Sequence, residues 1–236
     1  MKYSVLIPAH NEEAFIGKCL QSIKCAADQV PGEVEIIVAL NRCTDQTADI
    51  AASHHAVIVN EGSKNLAKIR NAAARAATGD IIVTIDADSR MSSNMFVEIA
   101  GNLSAGRYIG GGVMIRPERR SVGIFMSLLT VLPFLLIYRV SGGLFWCHRK
   151  DFETVGGFNE ALVSAEDLDF AKRLKAYGKK KGKRFKTITR AHIITSCRKF
   201  DTFGDWYLFK NPGLVWKIIR GDNQKAADLF YYHTDR

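Results

Sequence analysis

Short apolar β-type runs alternate with amphipathic helical patterns through the first hundred residues, and this alternation constrains the fold more than any other feature. The run Ser4-Val5-Leu6-Ile7-Pro8 reads as a first strand. A helical pattern follows over residues 12–25, with Phe15, Ile16, Cys19, Leu20 and Ile23 on one face. Residues 35–40 read as a second buried strand, 45–52 as a helix capped by Thr44, and 57–59 as a short third strand. An alanine-rich helix over 66–77, stopped by Gly79, leads into a strand over 81–85. Strand and helix in turn imply βαβ crossovers. The expected fold class is therefore α/β, a Rossmann-like nucleotide-binding fold with a mostly parallel central sheet. No G-x-G-x-x-G follows the first strand, so the dinucleotide fingerprint is missing.

The later sequence reads differently. Helices are expected over 95–103 and 167–177, the latter ending at Gly178, and strands over 110–115, 142–147 and 187–195. No Pro-rich or Gly/Ser-rich linker, internal repeat or low-complexity tract divides the 236 residues, so one domain is expected. The net charge of +9 favours anionic partners. Much of the excess lies in Lys179-Lys180-Lys181-Gly182-Lys183-Arg184, which reads as a solvated loop. The sequence carries no RNA-recognition, helix-turn-helix or zinc-finger pattern, and a nucleic-acid partner is not expected. Five scattered cysteines without C-x-x-C spacing read as reduced thiols. The first apolar run is too short for a signal peptide. A cytoplasmic protein is expected.

Chemistry enters at Asp86-Ala87-Asp88, directly after the apolar run Ile81-Ile82-Val83-Thr84-Ile85. Residues two apart on a strand point the same way, and open α/β sheets bind ligands at the carboxyl ends of their strands. Two hard carboxylates there suit Mg²⁺ or Mn²⁺ carrying a diphosphate. The competing reading makes Asp88 a cap for the helix beginning near Ser92.

Four segments then line up in order: Val5-Leu6-Ile7-Pro8-Ala9-His10-Asn11-Glu12-Glu13; Glu35 to Thr47; Arg70-Asn71 through Gly79-Asp80 into Asp86-Ala87-Asp88; and Gly156-Gly157-Phe158-Asn159-Glu160 followed by Glu166-Asp167-Leu168-Asp169-Phe170. Together they closely resemble the family 2 glycosyltransferases of the GT-A fold over residues 4–178. The resemblance implies a nucleoside-diphosphate sugar donor, a divalent Mg²⁺ or Mn²⁺ ion, and transfer to an acceptor hydroxyl. It divides the chain into a nucleotide-binding half (1–100), an acceptor-binding half (101–200) and a C-terminal helical extension (201–236). Pro8, Ala9 and Glu12 resemble the nucleoside-binding turn, with Arg70 also on the donor side. Asp86 and Asp88 resemble the D-x-D, with Asp88 the more direct metal ligand. Glu166-Asp167 resembles the E-D motif, whose aspartate is taken as the general base. Asn41 stands where many relatives carry an acidic residue against the nucleobase, which leaves uridine and guanosine both open. Arg198 or Lys199 would clamp the diphosphate, and His192 would complete the metal shell. Other readings are a nucleotidyltransferase on a related sheet, or a nucleotide-sugar-binding protein without activity.

Each site residue also has a structural reading. Glu166 and Asp167 suit the first turn of a helix. His192 lies in an apolar strand, Arg70 and Asn71 can brace their helix, and Gly156-Gly157 can serve a turn alone. The uncharged stretch 122–138, with Arg116, Arg119, Arg120 and Arg139 around it, approaches the lower limit of a bilayer span. A span would put Asp88 and Asp167 on opposite sides of the membrane. The segment then reads as a buried core helix, a dimer face or an element lying at the membrane surface; peripheral contact at the inner face of the membrane is expected, with a glycan or lipid-linked acceptor.

Overall fold

In the computed structural model, which describes residues 1–133, 141 and 143–220, the strands join one sheet. Strands β1 (Lys2–Ala9), β2 (Glu33–Leu40), β3 (Val57–Asn60) and β4 (Ile81–Ile85) pair in parallel. Beyond β4 the sheet continues through β7 (Leu144–His148), β6 (Tyr108–Pro117), β8 (Arg184–Thr195) and β5 (Ser89–Met91), in the order β3-β2-β1-β4-β7-β6-β8-β5. Strand β7 is antiparallel to both neighbours, β6 and β8 are parallel, and β5 is antiparallel to β8. All but β7 and β5 therefore point the same way, and the carboxyl ends of β1, β2, β4 and β8 share one edge.

The apolar runs are continuous because both faces of the sheet are covered. Val5, Ile7, Val38 and Val83 pack on one face against helices α1 (Ile16–Ala27) and α4 (Met95–Ser104). Their strand neighbours Leu6, Ile37 and Ile82 pack on the other, against α3 (Leu66–Ala76), α6 (Arg149–Thr154) and α7 (Glu166–Lys180). The Gly110-Gly111-Gly112 run is steric in origin. A Cβ on Gly111 would overlap the Lys186 carbonyl of β8, so β6 and β8 meet in this register only without a side chain there.

Several boundaries differ from expectation. The first helix starts at Ile16, because residues 12–15 form a turn closed by Ile16 N–H to the Glu12 carbonyl at 2.8 Å. Helix α2 (Thr47–Ser53) is not capped by Thr44; Asp45 Oδ1 accepts from Thr47 N–H at 3.0 Å, while the Thr44 N–H goes to Asn11. Strand β5 was not expected, and it separates Asp88 from α4, whose N-cap position is Asn94. Asp88 is thus no helix cap. Within 122–138 the chain forms α5 (Val122–Leu129); residues 134–138 lie outside the described residues. The C-terminal extension begins with α8 (Arg198–Phe203), α9 (Tyr207–Lys210) and α10 (Pro212–Arg220), and its remainder, 221–236, also lies outside them. No helix among the described residues is long and apolar enough to cross a membrane.

Candidate active site

The common carboxyl edge of β1, β2, β4 and β8 forms a cleft. Two turns at its rim use the left-handed backbone region without glycine, at Asn11 (φ 50°) and Arg42 (φ 51°). They interlock: Asn11 Oδ1 accepts from Thr44 N–H at 2.8 Å, and Glu12 N–H donates to Thr47 Oγ1 at 2.7 Å. This buries the Glu12 carboxylate to 4% exposure. A buried carboxylate requires a partner, and Arg198 supplies one from the start of α8. Its Nη1 and Nη2 grip Glu12 at 2.7 and 2.8 Å, and Nη2 also lies 3.0 Å from Asp88 Oδ2. The guanidinium stands over the Phe15 ring at 5.2 Å.

A second arginine joins the two acidic motifs. Arg70 Nη2 lies 2.7 Å from Asp86 Oδ1, and its Nε lies 3.5 Å from Glu166 Oε1. Both Arg70 and Glu166 are buried. Burial pushes the Glu166 carboxyl up to about 7; Arg70 opposes the shift, and the neighbouring Asp167 charge adds to it. Asp167 is also raised, chiefly by burial. Ala165, the residue before this pair, is left-handed at φ 53°, so the chain turns sharply into α7 at this point.

The glycine motif supports the same corner. Asn71 donates to the Phe158 carbonyl and accepts from its N–H, both at 2.9 Å, which staples α3 to the Gly156-Gly157-Phe158 turn. Gly157 has φ 60°, and a Cβ there would stand 2.7 Å from Asn71 Oδ1. Arg173 of α7 donates to the Val155 and Gly157 carbonyls. Asn71 thus braces the motif and α3 together, as its structural reading held.

Pro8, Ala9, Glu12, Asn41, Asp86, Asp88 and Arg198 all line the cleft, and Arg70 connects it to Glu166. The Asn41 side chain, however, is fully buried, and its amide donates to the Glu61 and Ser63 carbonyls at 2.5 and 2.8 Å. It holds the 61–63 loop and does not offer its amide to a base. His192 is not brought to the aspartates. It sits in β8 at the level of Ser92, whose Oγ accepts its N–H at 3.1 Å, with Nε2 3.4 Å from Arg116 Nη1. The chain reaches Asp88 only four residues later, where Ser196 N–H meets the Asp88 carbonyl at 3.1 Å. Burial and Arg116 hold the His192 imidazole below its ordinary range. Sequence reasoning missed the Glu12–Arg198 grip and the lining residues Leu66, Ile69 and Val163. Leu66 and Ile69 are one turn apart in an amphipathic helix and are indistinguishable from core in the sequence.

Among the described residues no three His, Cys, Asp or Glu side chains gather as a metal cage. Asp86 and Asp88 nonetheless fit Mg²⁺ or Mn²⁺, which bind through one or two carboxylates plus phosphate oxygens and water. Asp86 is 39% exposed and opens to the cleft, and a bound ion would share or displace the guanidinium contacts that both carboxylates make.

Residues 4–156 match the family model described as glycosyl transferase family 2. An uncharacterized glycosyltransferase of Mycobacterium tuberculosis is 30% identical over 103 residues, 44% of this chain and 44% of the relative. Among solved structures, TarS 1–349 of S. aureus in complex with UDP-GlcNAc superposes with a TM-score of 0.64 at 20% identity, covering 98% of this chain and 70% of that one. Glucosyl-3-phosphoglycerate synthase from Mycobacterium tuberculosis, in complex with Mn²⁺, UDP and phosphoglyceric acid, gives 0.61 at 19% identity, covering 91% of this chain and 78% of that one. At such identities the likeness shows the fold. The match to the curated relatives spans less than half of their length. The family match covers more than half of this chain and the superpositions nearly all of it, so the protein belongs to glycosyl transferase family 2 and has the GT-A fold.

Proposed function

We propose that the chain transfers a sugar from a nucleoside-diphosphate sugar to an acceptor hydroxyl. The observation that carries this reading is Arg70, which ties the cleft carboxylate of Asp86 to buried Glu166, the neighbour of Asp167. Donor and acceptor chemistry are then held in one register.

The turn at Pro8, Ala9 and Glu12 receives the nucleoside, and Arg198 faces the diphosphate. Asp88 and Asp86 hold Mg²⁺ or Mn²⁺, which supplies neutralisation of charge on the departing diphosphate. Asp167 accepts the proton of the attacking hydroxyl, and burial suits it to that role by raising its proton affinity. This assignment belongs to an inverting transfer. A uridine diphosphate sugar is the proposed donor, supported by the UDP-bound relatives of the same fold. The acceptor is a glycan or lipid-linked saccharide, met in the cytoplasm at the inner face of the membrane.

A thermal-shift screen of UDP- and GDP-sugars with and without Mn²⁺ tests the reading. A ligand at one hundred times its Kd adds about 2.7 kcal/mol of stability. For a domain of this size that raises Tm by roughly 5–10 °C. A UDP-sugar should do so only with Mn²⁺. Stabilisation by no nucleotide sugar overturns the proposal, and equal stabilisation without Mn²⁺ overturns its metal part.

A further inference from the structure

Helix α5 carries no charge, and it has an unusual division of faces. Gly123, Ile124 and Ser127 are buried along one side. On the opposite side Val122, Phe125 and Leu128 are 71%, 62% and 43% exposed. Against the buried side pack Trp206 and Phe209, themselves partly exposed and in edge-to-face contact at 5.8 Å, and α10 carries Trp216 at 55% exposure. Single exposed apolar residues need no explanation, but six on adjoining segments, two of them tryptophans, do.

These segments form one surface. Ser127 Oγ donates to the Asp205 carbonyl at 2.7 Å and accepts from Phe209 N–H at 3.3 Å. A Cβ on Gly123 would lie 2.8 Å from Trp206 Nε1, so α5 packs directly on the aromatic segment. The surface also lies near the catalytic pair. Ser164 Oγ, two residues before Glu166, donates to the Ile218 carbonyl of α10 at 2.8 Å.

Charge separates the possible occupants. Among the described residues the acidic side chains around this surface are paired within the chain, Glu118 with Arg90 at 2.7 Å, and Asp201 and Asp205 with the single guanidinium of Arg119 at 2.6 and 2.8 Å, which leaves one negative charge over. Arg116, Arg120, Lys210, Lys217 and Arg220 are exposed around it, so the surface is apolar, aromatic and cationic together. A second copy docked about a two-fold axis would bring these cations against each other. An anionic bilayer satisfies both properties, with tryptophans at the headgroup level and cations against the phosphates.

We propose that the α5–α9–α10 surface docks the protein onto an anionic lipid bilayer and so presents the acceptor side of the cleft to a membrane-borne substrate. The clause on the acceptor rests on the transfer reading; the docking does not. The contact is superficial, through the outer faces of short helices.

The test is flotation of the full chain with vesicles of phosphatidylcholine alone or mixed with phosphatidylglycerol. Binding is expected only with the anionic lipid, and high salt should reverse it. Phe125→Glu with Trp216→Glu should lower binding at least tenfold, while the UDP-sugar thermal shift stays as in the wild type. Lys217→Gln with Arg120→Gln should lower it several-fold and weaken the salt dependence. The wild type supplies a readout free of folding effects. Of its three tryptophans Trp146 is fully buried, so brominated lipid should quench Trp206 and Trp216 emission. A wild type that ignores anionic vesicles, or whose emission brominated lipid leaves unchanged, overturns the proposal. So does light scattering that shows a dimer dispersed by Phe125→Glu, since a second copy then covers the surface. A failed thermal shift with intact flotation would overturn the transfer reading alone.

Discussion

The acidic pair in the cleft and the acidic pair behind it share their chemistry and differ in their surroundings. Asp86-Asp88 stands at a strand end with each carboxylate against a guanidinium, and Asp86 is open to solvent. Glu166-Asp167 stands at the start of a helix entered through left-handed Ala165, and burial raises both carboxyls. Asp86 and Asp88 carry guanidinium partners that a bound cation would share or displace, while carboxyls deprived of water hold protons more tightly. These surroundings differ as the two proposed roles require, charge neutralisation for the first pair and proton transfer for the second. Arg70 touches both and keeps the difference in one geometry.

The largest effect that can break this division is on the chemical step. Asp167→Asn should lower kcat by roughly 10²–10⁴-fold, the usual contribution of a positioned base, with donor affinity unchanged. Steady-state transfer assays with a titrated donor check it, and a variant within a few-fold of wild type would move the role to Glu166. Next comes the bridge. Arg70→Met strands a buried Glu166 and should cost about 3 kcal/mol at pH 8, as loss of one partner of a buried pair does. Urea unfolding should show a smaller loss at pH 5, where Glu166 takes up a proton.

The smallest effect sharpens the electrostatics. Glu166 binds its proton more tightly folded than unfolded, so its contribution to stability is complete below pH 4.5 and is lost as pH rises through about 7. Across that window the chain should lose stability as pH rises. Glu166→Gln should flatten the urea-midpoint profile between pH 5 and 8. An unchanged slope would place the titration elsewhere.

Much of this was legible in the sequence, for identifiable reasons. A sheet covered on both faces requires unbroken apolar strands, so β1, β2 and β4 announced themselves, and residues at their carboxyl ends were candidates by position. Strand β5, three residues long, gave no pattern to read. The Glu12–Arg198 grip joins residues 186 apart and depends on tertiary packing that periodicity does not encode. His192 illustrates the opposite error. The family resemblance implied a metal ligand while its apolar neighbourhood favoured a structural role, and the register of β8 against β5 leaves it beside Arg116. Asn41, expected to read the nucleobase, borders the cleft with its amide committed to the 61–63 loop. The apolar stretch 122–138 was read as a membrane element from its composition. Its first half forms a short helix whose aromatic company, Trp206, Phe209 and Trp216, comes from a part of the chain that the sequence left unconnected to it.

The division between the pairs is tested most directly by titrating a UDP-sugar with Mn²⁺ calorimetrically into Asp88→Asn and Asp167→Asn side by side. The account predicts that Asp88→Asn loses Mn²⁺-dependent binding while remaining folded, and that Asp167→Asn binds as the wild type does. Equal binding by both variants, or a loss confined to Asp167→Asn, would contradict it.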